Sequence, residues 1–200
     1  MLNQATTIFG VDYSWGRPDP AALKRADVEF VCRYLSHDTT GKNLTRDEAE
    51  RLSEAGLSLV VVWETTARRA LAGEGAGIDD ARHAERQANE IGMPDDRPVY
   101  FAVDFDAQRE HQDAIHAYLD GAASVIGRDR VGVYAGYGPV NRALDAEKAE
   151  WAWQTYAWSG GKWDERAHIQ QYSNGHELDG VSVDHNRATQ DDYGQWRLDA

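Results

Sequence analysis

The sequence predicts an α/β fold, a small (β/α)8 barrel of the TIM type in which the last helices are degenerate. Strand-like and helix-like segments alternate along most of the 200 residues, which is typical of a mostly parallel sheet. The links between the last three strand-like segments are short and rich in Gly, Ser and Asn, so they leave little room for helices. An open doubly wound sheet is disfavoured because no G-x-G-x-x-G or P-loop motif follows any strand. No linker divides the chain, so we interpret residues 1–200 as one domain.

The first half of the chain contains three predicted strands, at residues 8–12, 28–35 and 57–63. The third is an unbroken apolar run of the kind that is buried on both faces of a sheet. Asp19-Pro20 opens a predicted helix over 18–26, and Thr45 and Glu48 have the spacing of a capping box for a helix over 45–55. The segment from Gly73 to Gly77 is predicted to be a flexible loop.

The second half of the chain contains five further predicted strands, at 98–105, 130–135, 151–156, 168–172 and 180–184. Three helices are predicted, at 78–91, 108–126 and 139–149. Gly92 and Pro94 end the first of these helices, and apolar residues at helical spacing support the second.

Composition excludes several classes of function. The net charge of −13 argues against binding of nucleic acid backbones and against docking on anionic lipid. No apolar stretch approaches the roughly 20 residues that a membrane span requires, so we expect no membrane insertion. Cys32 is the only cysteine and is predicted to be a buried, inert thiol. Met1–Thr7 shows no signal peptide, so export would use another route or a leader absent from this sequence.

Acidic residues follow the apolar runs of four predicted strands. These residues are Asp12, Glu64, Asp104, Asp106 and Asp184. A carboxylate at a strand end is poorly placed for packing, but the C-terminal strand ends of a barrel converge on one site. The sequence therefore predicts one acidic pocket at the mouth of the barrel.

The strongest local signal is Asp104 and Asp106 in Val103-Asp104-Phe105-Asp106. Residues two apart in a strand face the same side, and two close carboxylates raise one pKa. One protonated and one ionised carboxyl group are what glycosidic bond cleavage requires. The main alternative is that these two residues cap the following helix, and a site for a hard cation is a lesser one.

The other strand-end acids also have purely structural interpretations. Asp12 can be a helix N-cap, Glu64 can pair with Arg68 or Arg33, and Asp184 can be a turn residue. The histidines show neither H-E-x-x-H nor H-x-H, which disfavours zinc hydrolysis, and no metal site or cofactor is expected. No G-x-S-x-G elbow supports a serine hydrolase.

Several motifs resemble a known family. Phe9-Gly10-Val11-Asp12-Tyr13, Phe30-Val31-Cys32-Arg33-Tyr34-Leu35 and Ala55-Gly56-Leu57 resemble a glycoside-hydrolase-like domain of actinobacteria and their phages, formerly a domain of unknown function. That domain is similar to the family-25 lysozymes, small barrels that cut cell-wall glycan. Three C-terminal segments resemble the W-x-A-x-Y, W-Q-Y and D-x-N elements of these lysozymes: 151–156, 169–173 and 180–186.

The resemblance implies roles for particular residues. Asp12 matches the first-strand acid of the lysozymes, Asp184 matches the final-strand acid, and Asp104 with Asp106 matches their D-x-E pair. Asp106 stands in place of the Glu that donates the proton, so either Asp106 or Glu64 is expected to be the donor. Four residues from later strands are expected to contact sugar: Tyr134, Trp153, Gln171 and Tyr172. The three aromatic residues can instead serve the packing of the barrel.

Three functions remain open. The first is hydrolysis of a glycan, with peptidoglycan as the leading substrate, at the cell wall or outside the cell if the protein is exported or released by a phage. The second is a non-catalytic glycan-binding module that kept the barrel and lost the proton donor. The third is a metal-dependent phosphodiesterase that uses the same carboxylates.

Overall fold

The computed structural model describes residues 7–198 and shows a closed eight-stranded barrel, which confirms the predicted fold class. Neighbouring strands follow chain order, and the last strand closes on the first. The strands are β1 (Ile8–Asp12), β2 (Phe30–Leu35), β3 (Ser58–Trp63), β4 (Val99–Ala102), β5 (Val131–Ala135), β6 (Trp151–Thr155), β7 (Ile169–Leu178) and β8 (Val181–Ala188). Met1–Thr7, where no signal peptide is predicted, lies outside the described residues except for Thr7.

Five α-helices surround the barrel and follow β1 to β5: α1 (Pro20–Arg25), α2 (Arg46–Glu54), α3 (Glu74–Ile91), α4 (Gln112–Ile126) and α5 (Tyr137–Asp145). Asp19 caps α1 and Thr45 caps α2 through their side-chain oxygens. The predicted capping box is only half formed, because the carboxylate of Glu48 binds Arg33 and not the N–H of Thr45. No α-helix follows β6 or β7 in residues 7–198, which agrees with the short links seen in the sequence. Within the same range, no helix is both long and apolar enough to cross a membrane.

The barrel closes through an antiparallel strand. Pairing is parallel from β1–β2 through β6–β7, whereas β8 is antiparallel to both β7 and β1. The cause is a two-residue hairpin turn, in which Asp179 and Gly180 have φ of 53° and 73°. Two positive φ values in a two-residue turn are typical of a type I′ hairpin. The hairpin strands are longer than the predicted segments 168–172 and 180–184.

The prediction of a loop from Gly73 to Gly77 is wrong, because α3 begins at Glu74. A Cβ atom on Gly77 would lie 1.9 Å from the carbonyl oxygen of Tyr118, and one on Gly121 would lie 2.2 Å from the carbonyl oxygen of Glu74. These glycines therefore serve the close approach of α3 to α4. A run of glycines seen in sequence does not distinguish this role from loop flexibility.

The side chains inside the barrel are apolar away from the mouth and polar at the mouth. Phe30, Val60, Tyr100 and Ile169 are fully buried inside the barrel, together with Cys32. β4 ends at Ala102 and not at the predicted residue 105, so the chain beyond Ala102 is irregular. This early end of β4 decides where Asp104 and Asp106 lie.

Candidate active site

A cavity of about 290 Å³ opens at the mouth of the barrel, and the structure brings three of the predicted acids together there. Its lining includes Glu64 after β3, Asp104 after β4 and Asp184 in β8. Asp184 pairs with Asp12 across the sheet and lies near the start of its strand. Asp184 lies at the mouth because β8 runs antiparallel to β7 and β1, so the first half of β8 lies beside the C-terminal ends of the other strands.

Asp12 lies among the residues that support the cavity. It is 3% exposed, and its Oδ2 accepts hydrogen bonds from Gln171 Nε2 and Asn186 Nδ2, both at 2.8 Å. Burial, with a further contribution from the charge of Asp184, raises the pKa of Asp12 to about 7. The amide hydrogen bonds oppose this rise. Asp12 therefore keeps a proton up to near-neutral pH instead of capping a helix.

Two aromatic side chains fix the orientation of these amides. Tyr134 Oη donates to Gln171 Oε1 at 2.9 Å, and Trp153 Nε1 donates to Asn186 Oδ1 at 2.8 Å. Each amide therefore presents its nitrogen to the carboxyl group of Asp12. Tyr134, Trp153 and Gln171 all line the cavity, so three of the four predicted sugar contacts lie there.

Glu64 pairs with Lys42, a residue that the sequence did not indicate. Lys42 Nζ lies 3.2 Å from Glu64 Oε2 and 4.6 Å from the centre of the Tyr34 ring. The partners considered from the sequence are engaged elsewhere: Arg33 binds Glu48, and Arg68 lies over Phe105. Lys42 comes from the loop between β2 and α2, where no motif marks it.

Asp104 is half-buried in the cavity. Burial raises its pKa, the charges of Glu64 and Asp184 raise it further, and Lys42 lowers it. The cavity therefore combines a carboxyl group whose pKa is raised with a carboxylate that is paired with an ammonium group. A carboxyl group of raised pKa beside a carboxylate is the arrangement of a general acid and its anionic partner in glycosidases.

Asp106 does not share this cavity, contrary to the expectation that five acids converge. The alternation of a strand stops at Ala102, and the chain bends at Phe105, so residues 104 and 106 do not share a face. Asp106 is exposed, accepts a hydrogen bond from Gln108 Nε2 at 2.7 Å, and lines a neighbouring groove.

Tyr172 also lies outside the cavity. Its neighbour Gln171 points inward, so strand alternation turns Tyr172 outward, where it is 37% exposed and lies 5.5 Å from the Arg187 guanidinium. Sequence reasoning missed several residues that line the cavity, among them Tyr34, Thr155, Trp158 and Asn174. Trp158 is 47% exposed and has a φ of 56°, which is rare for a bulky residue. In the sequence, Trp158 stands just before Ser159-Gly160-Gly161, and a tryptophan beside such a loop segment is the pattern that could have indicated an exposed ring.

No cluster of three or more His, Cys, Asp or Glu side chains arranged to hold a metal ion occurs in residues 7–198. The polar groups of the cavity are instead connected to one another by hydrogen bonds and one ion pair.

Comparison with known proteins shows a family match. Residues 21–188 match the family described as the Rv2525c-like, glycoside hydrolase-like domain. Rv2525c of Mycobacterium tuberculosis, named a candidate peptidoglycan hydrolase, is 29% identical over 93% of this chain and 82% of its own length. The crystal structure of this Tat-secreted protein with L-tartrate has a TM-score of 0.90 at 28% identity, covering 96% of this chain and all of that chain.

More distant solved structures share the fold. A glycosyl hydrolase 25 of Streptococcus pneumoniae, GHIP, has a TM-score of 0.64 at 16% identity and covers 89% of this chain and 85% of its own. The modular autolysin LytC of the same species, solved with a synthetic peptidoglycan ligand, has a TM-score of 0.63 at 16% identity. That match covers 93% of this chain and 47% of LytC.

Proposed function

Because this chain belongs to the Rv2525c-like, glycoside hydrolase-like domain family, we propose that it hydrolyses a glycan of the bacterial cell wall, with peptidoglycan as the substrate. The observation that carries the proposal is that Asp104 and Glu64 line the same cavity. Burial favours the protonated form of Asp104, while Glu64 carries an ion pair with Lys42. The relation to enzymes that lyse cell walls supports the choice of substrate.

In the proposed reaction, Asp104 donates its proton to the glycosidic oxygen as the bond from that oxygen to the anomeric carbon breaks. A water molecule then forms a new bond to the anomeric carbon, and its proton goes to the Asp104 carboxylate, which restores the acid. The carboxylate of Glu64 stabilises the positive charge that develops on the sugar ring, and Lys42 holds that carboxylate in place. Gln171 donates to Asp12 at 2.8 Å and reaches Asp184 at 3.5 Å, so it positions both carboxyl groups beside the cavity. This assignment places the proton on Asp104, whereas the resemblance to lysozymes implied Asp106 or Glu64.

The exposed ring of Trp158 offers a surface on which a sugar ring can stack, because it lines the cavity and remains accessible. Tyr134 and Trp153 are instead occupied by hydrogen bonds that orient the amides. We therefore assign sugar stacking to Trp158 and amide positioning to Tyr134 and Trp153.

Substitution of Asp104 by Asn tests the proposal. The variant keeps the size of the side chain and removes the proton, so we expect release of reducing ends from purified cell walls to fall about 100-fold or more. Binding to the same cell walls should survive. Asp95→Asn, which changes an exposed carboxylate on the turn before β4, is the matched control and should behave as the wild type does. An Asp104→Asn variant with wild-type activity would contradict the assignment.

A comparison with Asp106→Asn separates the two candidate donors. If Asp104 is the donor, Asp106→Asn lowers sugar release much less than Asp104→Asn does. If Asp106→Asn alone abolishes release, the donor is Asp106, and a movement must bring it from its groove into the cavity.

The second candidate function is a glycan-binding module without catalysis. It is favoured by one observation: the residue in the place of the lysozyme proton donor is one methylene shorter and lies outside the cavity. A wild-type protein that pulls down cell walls but releases no reducing ends would support this module. A gain of activity in Asp106→Glu would then identify the missing methylene as the cause.

A further inference from the structure

A second groove lies beside the acidic cavity, and Trp158 lines both. The groove has a volume of about 350 Å³ and is formed by the chain after β4, the first turn of α5 and the loop after β6. Its charged side chains are Arg109, Arg142 and Lys162, with Asp106 as the single carboxylate. The groove is therefore cationic, whereas the adjoining cavity is acidic.

The three cations of this groove form no ion pair with a carboxylate of the described chain. Arg142 is held by neutral acceptors, since its Nε donates to Gln112 Oε1 at 2.6 Å and its Nη2 to the carbonyl of Ala107 at 3.4 Å. Burial lowers the pKa of Arg142, and the nearby charge of Arg109 lowers it further. Cations that line one groove and form no ion pair within the described chain favour an anion from outside.

The backbone adds to the positive potential of the groove. The first turn of α5, a nine-residue helix, lines it; Ser159 Oγ accepts a hydrogen bond from the N–H of Tyr137 at 2.9 Å and Pro139 has no N–H, so the dipole of the helix is the backbone's contribution here. A Cβ atom on Gly138 would lie 3.0 Å from Arg142 Nη1, so the guanidinium group lies directly against this first turn. The positive end of the helix dipole and the guanidinium group therefore act at the same place.

We propose that this groove binds a carboxylate of the peptide stem carried by a cell-wall glycan, while the sugar chain occupies the acidic cavity. The inference rests on the proposed function and names the part of the substrate that gives specificity. Among the residues that the structure describes, those lining the cavity include carboxyl groups and no Lys or Arg, so the cavity offers an anionic substituent no partner, whereas the cations of the adjoining groove attract it. Trp158 separates the two regions, so its ring can contact the sugar on one side and the start of the stem on the other.

Binding of two probes tests the proposal. The first probe is a soluble glycan fragment that carries its stem peptides, and the second is the same fragment after an amidase has removed them. We expect the double variant Arg109→Ala/Lys162→Ala to bind the stem-bearing fragment about tenfold more weakly and the stem-free fragment as the wild type does. Both substituted residues are exposed, so the fold should survive, and circular dichroism checks this. Lys24→Ala, on the exposed face of α1, is the matched control and should change neither affinity.

Salt gives an independent readout. The preference for the stem-bearing fragment should shrink as ionic strength rises, because the charges of the groove are solvent-accessible and screened. Equal losses on both probes in the double variant, or no preference in the wild type, would overturn the proposal. Tighter binding of a glycerol-phosphate oligomer than of the stem-bearing fragment would also overturn it, since the groove would then select phosphate.

The test separates this inference from the proposed hydrolysis. Sugar release measures hydrolysis through Asp104, whereas the ratio of the two affinities measures the groove. A protein that prefers the stem-bearing fragment but releases no sugar would keep the inference about the groove and refute the proposed hydrolysis. An active protein without that preference would do the reverse.

Discussion

Replacement of Asp12 by Asn is expected to change how the stability of this protein depends on pH. Asp12 is 3% exposed, and burial with the charge of Asp184 raises its pKa from 3.8 to about 7. The oxygen of an Asn side chain can accept the same hydrogen bonds from Gln171 and Asn186, and its nitrogen can face the Tyr34 hydroxyl. The variant therefore mimics Asp12 with its proton bound.

The sign of the effect follows from which state binds the proton. Below the unfolded pKa of 3.8, Asp12 is protonated in both states. Between that value and about 7, the unfolded chain ionises while the folded protein stays protonated, so the wild type loses stability as pH rises. A pKa difference of about three units corresponds to about 4 kcal/mol of unfolding free energy. The full loss is reached above the folded pKa.

Urea unfolding of both proteins, followed by tryptophan fluorescence from about pH 4 to 8, measures this effect. The difference between their free energies of unfolding cancels the other titrating groups, because both proteins contain them. We expect this difference to grow in favour of Asp12→Asn by up to about 4 kcal/mol across the range. Asp95→Asn, whose carboxylate is exposed, should show no such trend.

Two outcomes would refute this reasoning. A difference that stays constant with pH would mean that the folded protein does not raise the pKa of Asp12. A difference that moves against the variant as pH rises would mean that the amide donors stabilise an ionised Asp12 more than burial destabilises it.

Three further predictions concern catalysis and packing. The rate of sugar release should fall as pH rises through the raised pKa of Asp104, because Asp104 must carry its proton to act as the acid. Measurement of the rate from about pH 4 to 9 checks this, and a rate that keeps rising with pH contradicts it. Glu48→Ala should cost about 3–5 kcal/mol in urea unfolding, since it leaves the buried Arg33 without its carboxylate. Gly77→Ala should lower the free energy of unfolding, because the added methyl group clashes with α4. Gly75→Ala, where the added methyl group meets open space in the same helix, should be neutral or should raise this free energy by up to about 1 kcal/mol. Equal effects of the two substitutions in urea unfolding would refute the packing role of Gly77.

Local patterns predicted the barrel because the apolar pattern of each strand is contained within a few consecutive residues. The apolar run before Glu64 and the capping signals of Asp19 and Thr45 concern neighbouring residues, and the structure confirms those elements. The sequence did not predict that β8 is antiparallel, because the positive φ values of Asp179 and Gly180, which make the turn a hairpin, are visible only in the paired strands β7 and β8. The glycines of α3 were misinterpreted since their contact, α4, lies about 40 residues further along the chain.

The sequence by itself determined the order of the strands and placed carboxyl groups at their ends, because strand periodicity and strand termination are local properties. Only the tertiary structure decided which carboxyl groups share a cavity, that Lys42 pairs with Glu64, and that Asp106 belongs to a separate, cationic groove. The proton on Asp12 and the raised pKa of Asp104 also depend on burial and on charges from other strands. Electrostatic energy varies with the distance between side chains in space, and residues far apart in the chain acquire that distance only when the barrel closes.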